Sequence, residues 1–396
     1  MSNWFRISHV SAGFIAVLVG YTSSAAIVFQ AAAAAGATPA ELGSWLWALG
    51  IGMGATCIGL SWRYRTPVLT AWSTPGAALL VTSLSGLSMP EAIGAFLFSS
   101  LLITICGITG WFERLVRILP ATLASAMLAG ILARFGLNVF TTMPAHLPLI
   151  GFMLASFILG RRFWPRYAVP LTLLAGIALA AVRNELRFAS FEWSLAEPVL
   201  MAPHFSLSTL VGVGIPLFIV TMASQNLPGL AVLRANGYQV PASPLIGWTG
   251  ATGLLLAPFG GFAFNLAAIT AAICMSKDAD ADPGKRYAAS IWAGVFYLCT
   301  GIFGATVVAL FAAFPAALVT AIAGLALLGT IGNSLAGALH DEGERDAALL
   351  TFLVTASGMS LLGIGSAFWG LAFGLAVHFV KRTAATDGAP DSRPTR

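Results

Sequence analysis

Apolar stretches follow one another along this chain with few charges between them. They cover residues 10–34, 42–61, 68–85, 90–111, 120–138, 146–162, 167–183, 208–233, 243–257, 259–275, 286–311, 315–337, 346–363 and 366–381. A helix needs about 20 apolar residues to cross a bilayer, so these fourteen segments predict an all-α polytopic membrane protein. Charged residues make up only 9% of the chain, against about 25% in an ordinary soluble domain. Lipid offers no partner to backbone N–H and C=O groups, so an exposed strand cannot cross it. Two segments conflict with that rule. "VLTAWSTPGAALLVTSL" (Val68–Leu84) opens as a strand and turns helical only after Ser-Thr-Pro-Gly. "PFGGFAFNLAAITAAIC" (Pro258–Cys274) is interrupted in the same way. Spans 3 and 10 are therefore expected as a short strand plus a half-helix, with the strands enclosed by protein.

The basic residues set the expected topology. With a cytoplasmic N-terminus, seventeen of the twenty Lys and Arg fall on the inner side, Arg6, Arg63, Arg114, Arg161, Lys277 and Lys381 among them. Arg183 and Arg187 fall outside, and Arg134 lies near the outer end of a span. That bias follows the positive-inside rule and favours an even span count with both termini inside. The net charge of +5 thus reports topology and gives no reason to expect nucleic-acid binding. The predicted layout is a first seven-span repeat over 1–183, an outer connection over 184–207, a second repeat over 208–382 and a disordered tail over 383–396. The alanine run Ala31–Ala35 follows an apolar segment too long for a signal-peptide core, so the first span is read as mature. Cys57, Cys106, Cys274 and Cys299 all fall in apolar segments without metal or redox spacing and read as small core hydrophobes.

The halves align weakly. Ser23–Pro39 can be laid without gaps on Gln225–Pro241, and the third span of each half is the broken one. An odd number of spans per half inverts the second copy, and inverted repeats with discontinuous helices mark transporters with a site near the midplane. At the first break Thr74 is the expected N-cap, Pro75 fits the first helical position, and Gly76 allows close approach of a ligand, with Ser73 beside them. Asn265 is the expected cap at the second. Two half-helix N-termini would then face each other as an anion site. Tyr21, Ser23 and Ser24 on the first span, and Gln225 and Asn226 on the eighth, are candidate pocket residues. A serine bonded to its own helix is the alternative, whereas adjacent amides in an apolar span need partners. Trp72, Phe262 and Phe264 either form an aromatic wall or pack the core. Arg134 either attracts an anion or snorkels outward.

No carboxylate lies near the centre of any segment, so His9, His378, Tyr21 or a weakly acidic substrate remain as proton carriers. "SKDADADPGKR" (Ser276–Arg286) places Pro283 where a calcium loop needs glycine and reads as a solvated connector; "HDEGERD" (His340–Asp346) reads as a charged inner loop. There is no P-loop, HExxH or GxSxG element, so neither an ATP-driven pump, an enzyme nor a cofactor is expected.

"RISHVSAGFIAVLVGYTSSAAIVFQAA" (Arg6–Ala32), "WSTPGAALL" (Trp72–Leu80) and "FNLAAITAAIC" (Phe264–Cys274) resemble the benzoate:proton symporter family over nearly the whole chain. The resemblance implies a multi-pass carrier of the bacterial inner membrane that moves benzoate or a similar aromatic carboxylate with protons. It also implies the fold of uracil and sulfate-type permeases, with spans 1–4 and 8–11 as a core domain and spans 5–7 and 12–14 as a gate. Ser73, Thr74, Gly76, Gln225, Asn226 and Asn265 match the site region by motif position. The nucleobase branch uses acidic residues in spans 8 and 10, where this chain has neutral amides. That suits an anionic substrate, which a fixed carboxylate would repel. Another small anion, a nucleobase-like solute, a channel or an intramembrane enzyme are the alternatives. A homodimer is compatible with such a fold, and the sequence leaves the oligomeric state open.

Overall fold

A computed structural model describes residues 6–111, 120–187, 193–362 and 364–387. Glu113, Arg114, Arg117, Arg393 and Arg396 of the charge pattern lie outside these residues. The first half contains α1 (Ile7–Ala34), α2 (Pro39–Tyr64), β1 (Thr70–Trp72), α3 (Thr74–Ser83), α4 (Met89–Thr109), α5 (Ala121–Thr142), α6 (Leu147–Phe163) and α7 (Ala168–Val182). The second contains α8 (Leu207–Ala235), α9 (Ala242–Leu256), β2 (Phe264–Leu266), α10 (Ile269–Cys274), α11 (Tyr287–Ile302), α12 (Gly304–Ala312), α13 (Ala316–Ala338) and α14 (Arg345–Ser357). A hairpin of β3 (Ser360–Leu361) and β4 (Ile364–Gly365) then leads into α15 (Ser366–Asp387).

This is a predominantly helical membrane protein. Among the described residues six helical runs are long and apolar enough to cross a bilayer, and seven if α11 and α12 count as one. The fourteen expected segments also include elements shorter than that. Helix starts follow local chemistry. Thr38 caps α2 in a capping box with Glu41, and Pro39 occupies the first turn.

Several boundaries differ from expectation. The segment 286–311 bends by 68° between α11 and α12. The helix expected over 346–363 ends at Ser357, where Gly358 takes a left-handed φ of 66°. α15 runs to Asp387, five residues into the segment expected to be disordered, and the tail from 388 onward lies outside the described residues. α8 contains two π turns, Leu210–Gly214 and Met222–Asn226. Cys57, Cys106 and Cys274 are buried as expected, but Cys299 is exposed on α11.

Packing divides the helices into two groups. In one, α11 lies along α2, α9 along α4, and α1 packs on α11, α3 and α10. In the other, α13 lies along α5, α14 packs on α5 and α15, and α6 packs on α7. Glycines let the backbones meet, since bilayer helices associate through close contact of small residues rather than through hydrophobic exclusion from water. α2 and α11 cross on Gly50 and Gly301, and α4 and α9 cross on Gly107 and Gly247. A Cβ at Gly50 or Gly107 would run into the partner backbone.

Candidate functional site

The two strands solve the problem of extended backbone among membrane helices by pairing with each other. β1 and β2 run antiparallel with Thr70 opposite Leu266, Ala71 opposite Asn265 and Trp72 opposite Phe264. Ser73 N–H to Ala263 C=O (3.0 Å) and Ala267 N–H to Leu69 C=O (2.9 Å) extend the ribbon. Its outer edges carry N–H groups that need acceptors. On the β1 side, Thr70 N–H donates to Cys57 Sγ (3.1 Å) and Trp72 N–H to Met53 Sδ (3.1 Å), both on α2. On the β2 side, Leu266 N–H donates to Asn226 Oδ1 on α8 at 2.9 Å. The ribbon is thus sealed by side chains.

Beside this ribbon, between the two packing groups, lies a cavity of about 910 Å³. One wall is formed by α1, β1, the start of α3, the second π turn of α8, α10 and α11. The other is formed by α5, α7 and α13. Apolar lining dominates, through residues such as Val19, Leu128, Ile219, Leu227 and Leu327. No charged side chain lines it among the described residues.

Five of the expected site residues reach the cavity: Ser23, Ser24, Trp72, Thr74 and Gln225. Trp72 Nε1 donates to Ser24 Oγ at 2.9 Å, and the Ser23 and Ser24 hydroxyls both donate to the Gly20 carbonyl. The Tyr21 ring stands edge-on to Trp72 at 4.8 Å but does not line the cavity. Gln225 projects from the π turn, and its amide makes no hydrogen bond to another described residue. π turns inserted in α-helices are frequent at functional sites.

The remaining candidates do other work. The N-cap of α3 is Ser73, not Thr74: Ser73 Oγ accepts from Gly76 N–H at 2.9 Å, leaving Thr74 and Pro75 as the first helical residues facing the cavity. Ser73 is buried, and Gly76 packs against it and Leu217. Asn226 bonds the ribbon rather than the cavity. Asn265 does not cap α10, because its backbone is held in β2 and the helix begins four residues later without a side-chain cap. Its Nδ2 donates to Ala263 C=O at 3.0 Å. Phe262 joins Trp45 and Phe96 in a separate aromatic cluster, and Phe264 packs on Gly52. The paired half-helix ends expected from the sequence are therefore unequal.

Thr270, Tyr297, Ser125, Thr330, Asn333 and Ser334, none of them expected from the sequence, also line the cavity. Asn333 carried a readable signal, an amide in an apolar span, the same feature that singled out Gln225. Arg134 lies against Gly358 at the C-terminal end of α14, where a cation meets the negative end of the helix.

The loop Ser276–Arg286 is not merely solvated. Asp280 is buried, receives His9 Nε2 at 2.8 Å and Arg6 Nη1 at 3.1 Å, and accepts the Asp282 N–H at 2.9 Å. Arg286, also buried, donates to the carbonyls of Asp280 and Met275. Burial pushes the Asp280 carboxyl up, but the Asp282 N–H, His9 and Arg6 outweigh it and hold it below the usual carboxylate range.

The sequence profile of the benzoate membrane transport protein family matches residues 3–380. The chain belongs to this family. The benzoate membrane transport protein of Acinetobacter baylyi is 42% identical over 377 residues, 95% of each chain. The inner membrane protein YdcO of Escherichia coli K12 is 51% identical over 363 residues, 92% of this chain and 93% of that one. Members of this family are transporters rather than enzymes. Among solved structures, the transmembrane domain of the cyanobacterial bicarbonate transporter BicA has a TM-score of 0.60 at 12% identity, covering 93% of this chain and 97% of that one. SLC26A9 has a TM-score of 0.59 at 12% identity, covering 96% of this chain and 66% of that chain. These likenesses establish the fold shared with anion-transporter domains.

Proposed function

We propose that this protein is a secondary active transporter that imports benzoate or a similar aromatic carboxylate by proton symport with alternating access. The observation that carries the reading is the cavity between the two helix groups. It combines apolar walls, which suit a benzene ring, with neutral hydrogen-bonding groups at Thr74 and Gln225. A carboxylate placed there would meet the first turn of α3, whose backbone dipole favours negative charge. No acidic side chain among the described lining residues would repel it. The 42% identity to a protein named for benzoate transport supports the same substrate class.

The wider architecture we propose is fourteen membrane segments in two inverted seven-span repeats, with both termini cytoplasmic and spans 3 and 10 broken at β1–α3 and β2–α10. The matched crossings support it: under the repeat α2 corresponds to α9 and α4 to α11, and each cross-pair meets on two glycines. The group around β1 and β2 is then the core domain and the group around α5 and α13 the gate, with the core carrying substrate past the gate. The cavity lining reaches Ala121, Pro165 and Ser334, which lie at the cytoplasmic ends of their segments in this topology. The conformation is accordingly inward-facing.

Purified protein in liposomes is expected to take up labelled benzoate in a saturable manner, faster with an inward proton gradient. Saturable uptake insensitive to the gradient would remove symport. Absence of uptake for every aromatic acid tried would remove the substrate class.

A further inference from the structure

Tyr297 stands on α11, is only 2% exposed, and lines the cavity. Its main-chain carbonyl accepts from Thr300 Oγ1 at 2.9 Å. Its phenolic oxygen makes no hydrogen bond to another described residue. That oxygen opens onto the cavity rather than being sealed in the core, so an acceptor on a ligand there can take its hydrogen bond. The space before it is kept open: a Cβ at Gly20 would lie 3.2 Å from the Tyr297 oxygen. Gly20 itself lines the cavity, one turn ahead of Ser24 and its bond to Trp72. The hydroxyl therefore lies beside Gly20, which also neighbours Thr270 and whose carbonyl takes the Ser23 and Ser24 hydroxyls. The Trp72 indole N–H is already used by Ser24, so it cannot also serve a ligand without giving up that bond.

We propose that the Tyr297 hydroxyl donates a hydrogen bond to the carboxylate of the bound aromatic acid and selects that acid over uncharged aromatic molecules of the same shape. The inference rests on the substrate class proposed above. A phenol donating to a carboxylate makes a charge-assisted bond, shorter and stronger than one to a neutral acceptor. A site built around such a donor discriminates against ligands that cannot use it.

The test is Tyr297→Phe, which removes the oxygen and keeps the ring. Benzoate and benzamide are titrated calorimetrically into purified full-length wild type and variant, with the thermal midpoint of each ligand-free protein checking the fold. The expected result is a benzoate Kd raised about tenfold or more, as for loss of a hydrogen bond to a charged group, with a smaller change for benzamide and a folded variant. Wild-type benzoate binding that is unchanged in the variant overturns the inference alone. An equal loss for benzoate and benzamide also overturns it, by making the hydroxyl a packing element. A wild type that binds no benzoate overturns the substrate reading, and the inference with it.

Discussion

Asn226 Oδ1 accepts the Leu266 N–H at 2.9 Å, joining the second π turn of α8 to the edge of β2 that faces away from β1. Gln225, its neighbour in the chain, turns its amide into the cavity instead. Two adjacent amides on one membrane helix thus split into a structural strut and a free hydrogen-bonding group. Neighbouring side chains on a helix already diverge by about 100°, and these two sit in the π turn Met222–Asn226.

The two residues are expected to fail differently when shortened. Asn226→Ala leaves Leu266 N–H buried without an acceptor and should lower stability by about 1–3 kcal/mol. Gln225→Ala should leave the thermal midpoint nearly unchanged and weaken benzoate binding several-fold. A stable Asn226→Ala with normal uptake would show that the ribbon edge is satisfied some other way.

Trp72 and Ser24 form a pair whose bond is separable from ring packing. Trp72→Phe keeps an aromatic side chain and deletes the donor; Ser24→Ala deletes the acceptor. A double-mutant cycle on stability should give a coupling of about 1 kcal/mol. Strictly additive effects would argue that the bond contributes nothing net.

Acid should weaken the Ser276–Arg286 loop through Asp280. Its folded-state pKa is depressed, so its contribution is complete above the unfolded value of about 3.9 and is lost as pH falls through the lower folded value. Asp280→Asn should therefore melt earlier than wild type at neutral pH and lose less on acidification below about pH 4. Parallel melting curves for the two proteins across that window would contradict the linkage.

The glycine crossings should tolerate little. Gly50→Val and Gly107→Val each place a branched side chain against partner backbone. Overpacking of this kind costs about 1–3 kcal/mol or more. Both variants should show reduced yield of folded protein in detergent, read by size-exclusion profile, while Gly59→Val, where nothing lies nearby, serves as the control.

The inward-facing reading has a labelling consequence. A cysteine introduced at Asn333, in the cavity lining, should react with a polar thiol reagent applied from the cytoplasmic side of oriented vesicles, and more slowly with benzoate present. Reaction only from the outer side would reverse the assigned conformation.

Much of the fold was legible because its causes are local. Apolar length marks the helices, and the Ser-Thr-Pro-Gly break marks β1–α3. What was not legible depends on distant partners. Ser73 and Thr74 both cap helices well, and Pro75 fits either of the first two positions. The choice went to Ser73 because its N–H is anchored on Ala263, far along the chain. Asn265 looked like a cap until β2 claimed its backbone. Asp280 looked solvated because nothing nearby in sequence announces that Arg6 and His9, at the start of α1, cover it. Of the expected residues at the breaks, Thr74 lines the cavity, while Ser73 and Asn265 are held by the backbone of the ribbon and the helix start. Tyr297 was not legible, since an aromatic residue in an apolar helix reads first as packing.

The pairing of β1 with β2 also bears on how the chain is made. Thr70 emerges from the ribosome about two hundred residues before Leu266, its partner in register. Until then one face of Thr70–Trp72 has no sheet to join, although α2 already offers Cys57 and Met53 to the other face. The first half is thus inserted as an unfinished object, and the long-range closure is a late, slow step of the kind that high contact order imposes. A chain stopped before β2 would leave that edge of β1 without its backbone partners among the helices. The ribbon that borders the cavity is therefore also the joint that ties the first half of the chain to the second.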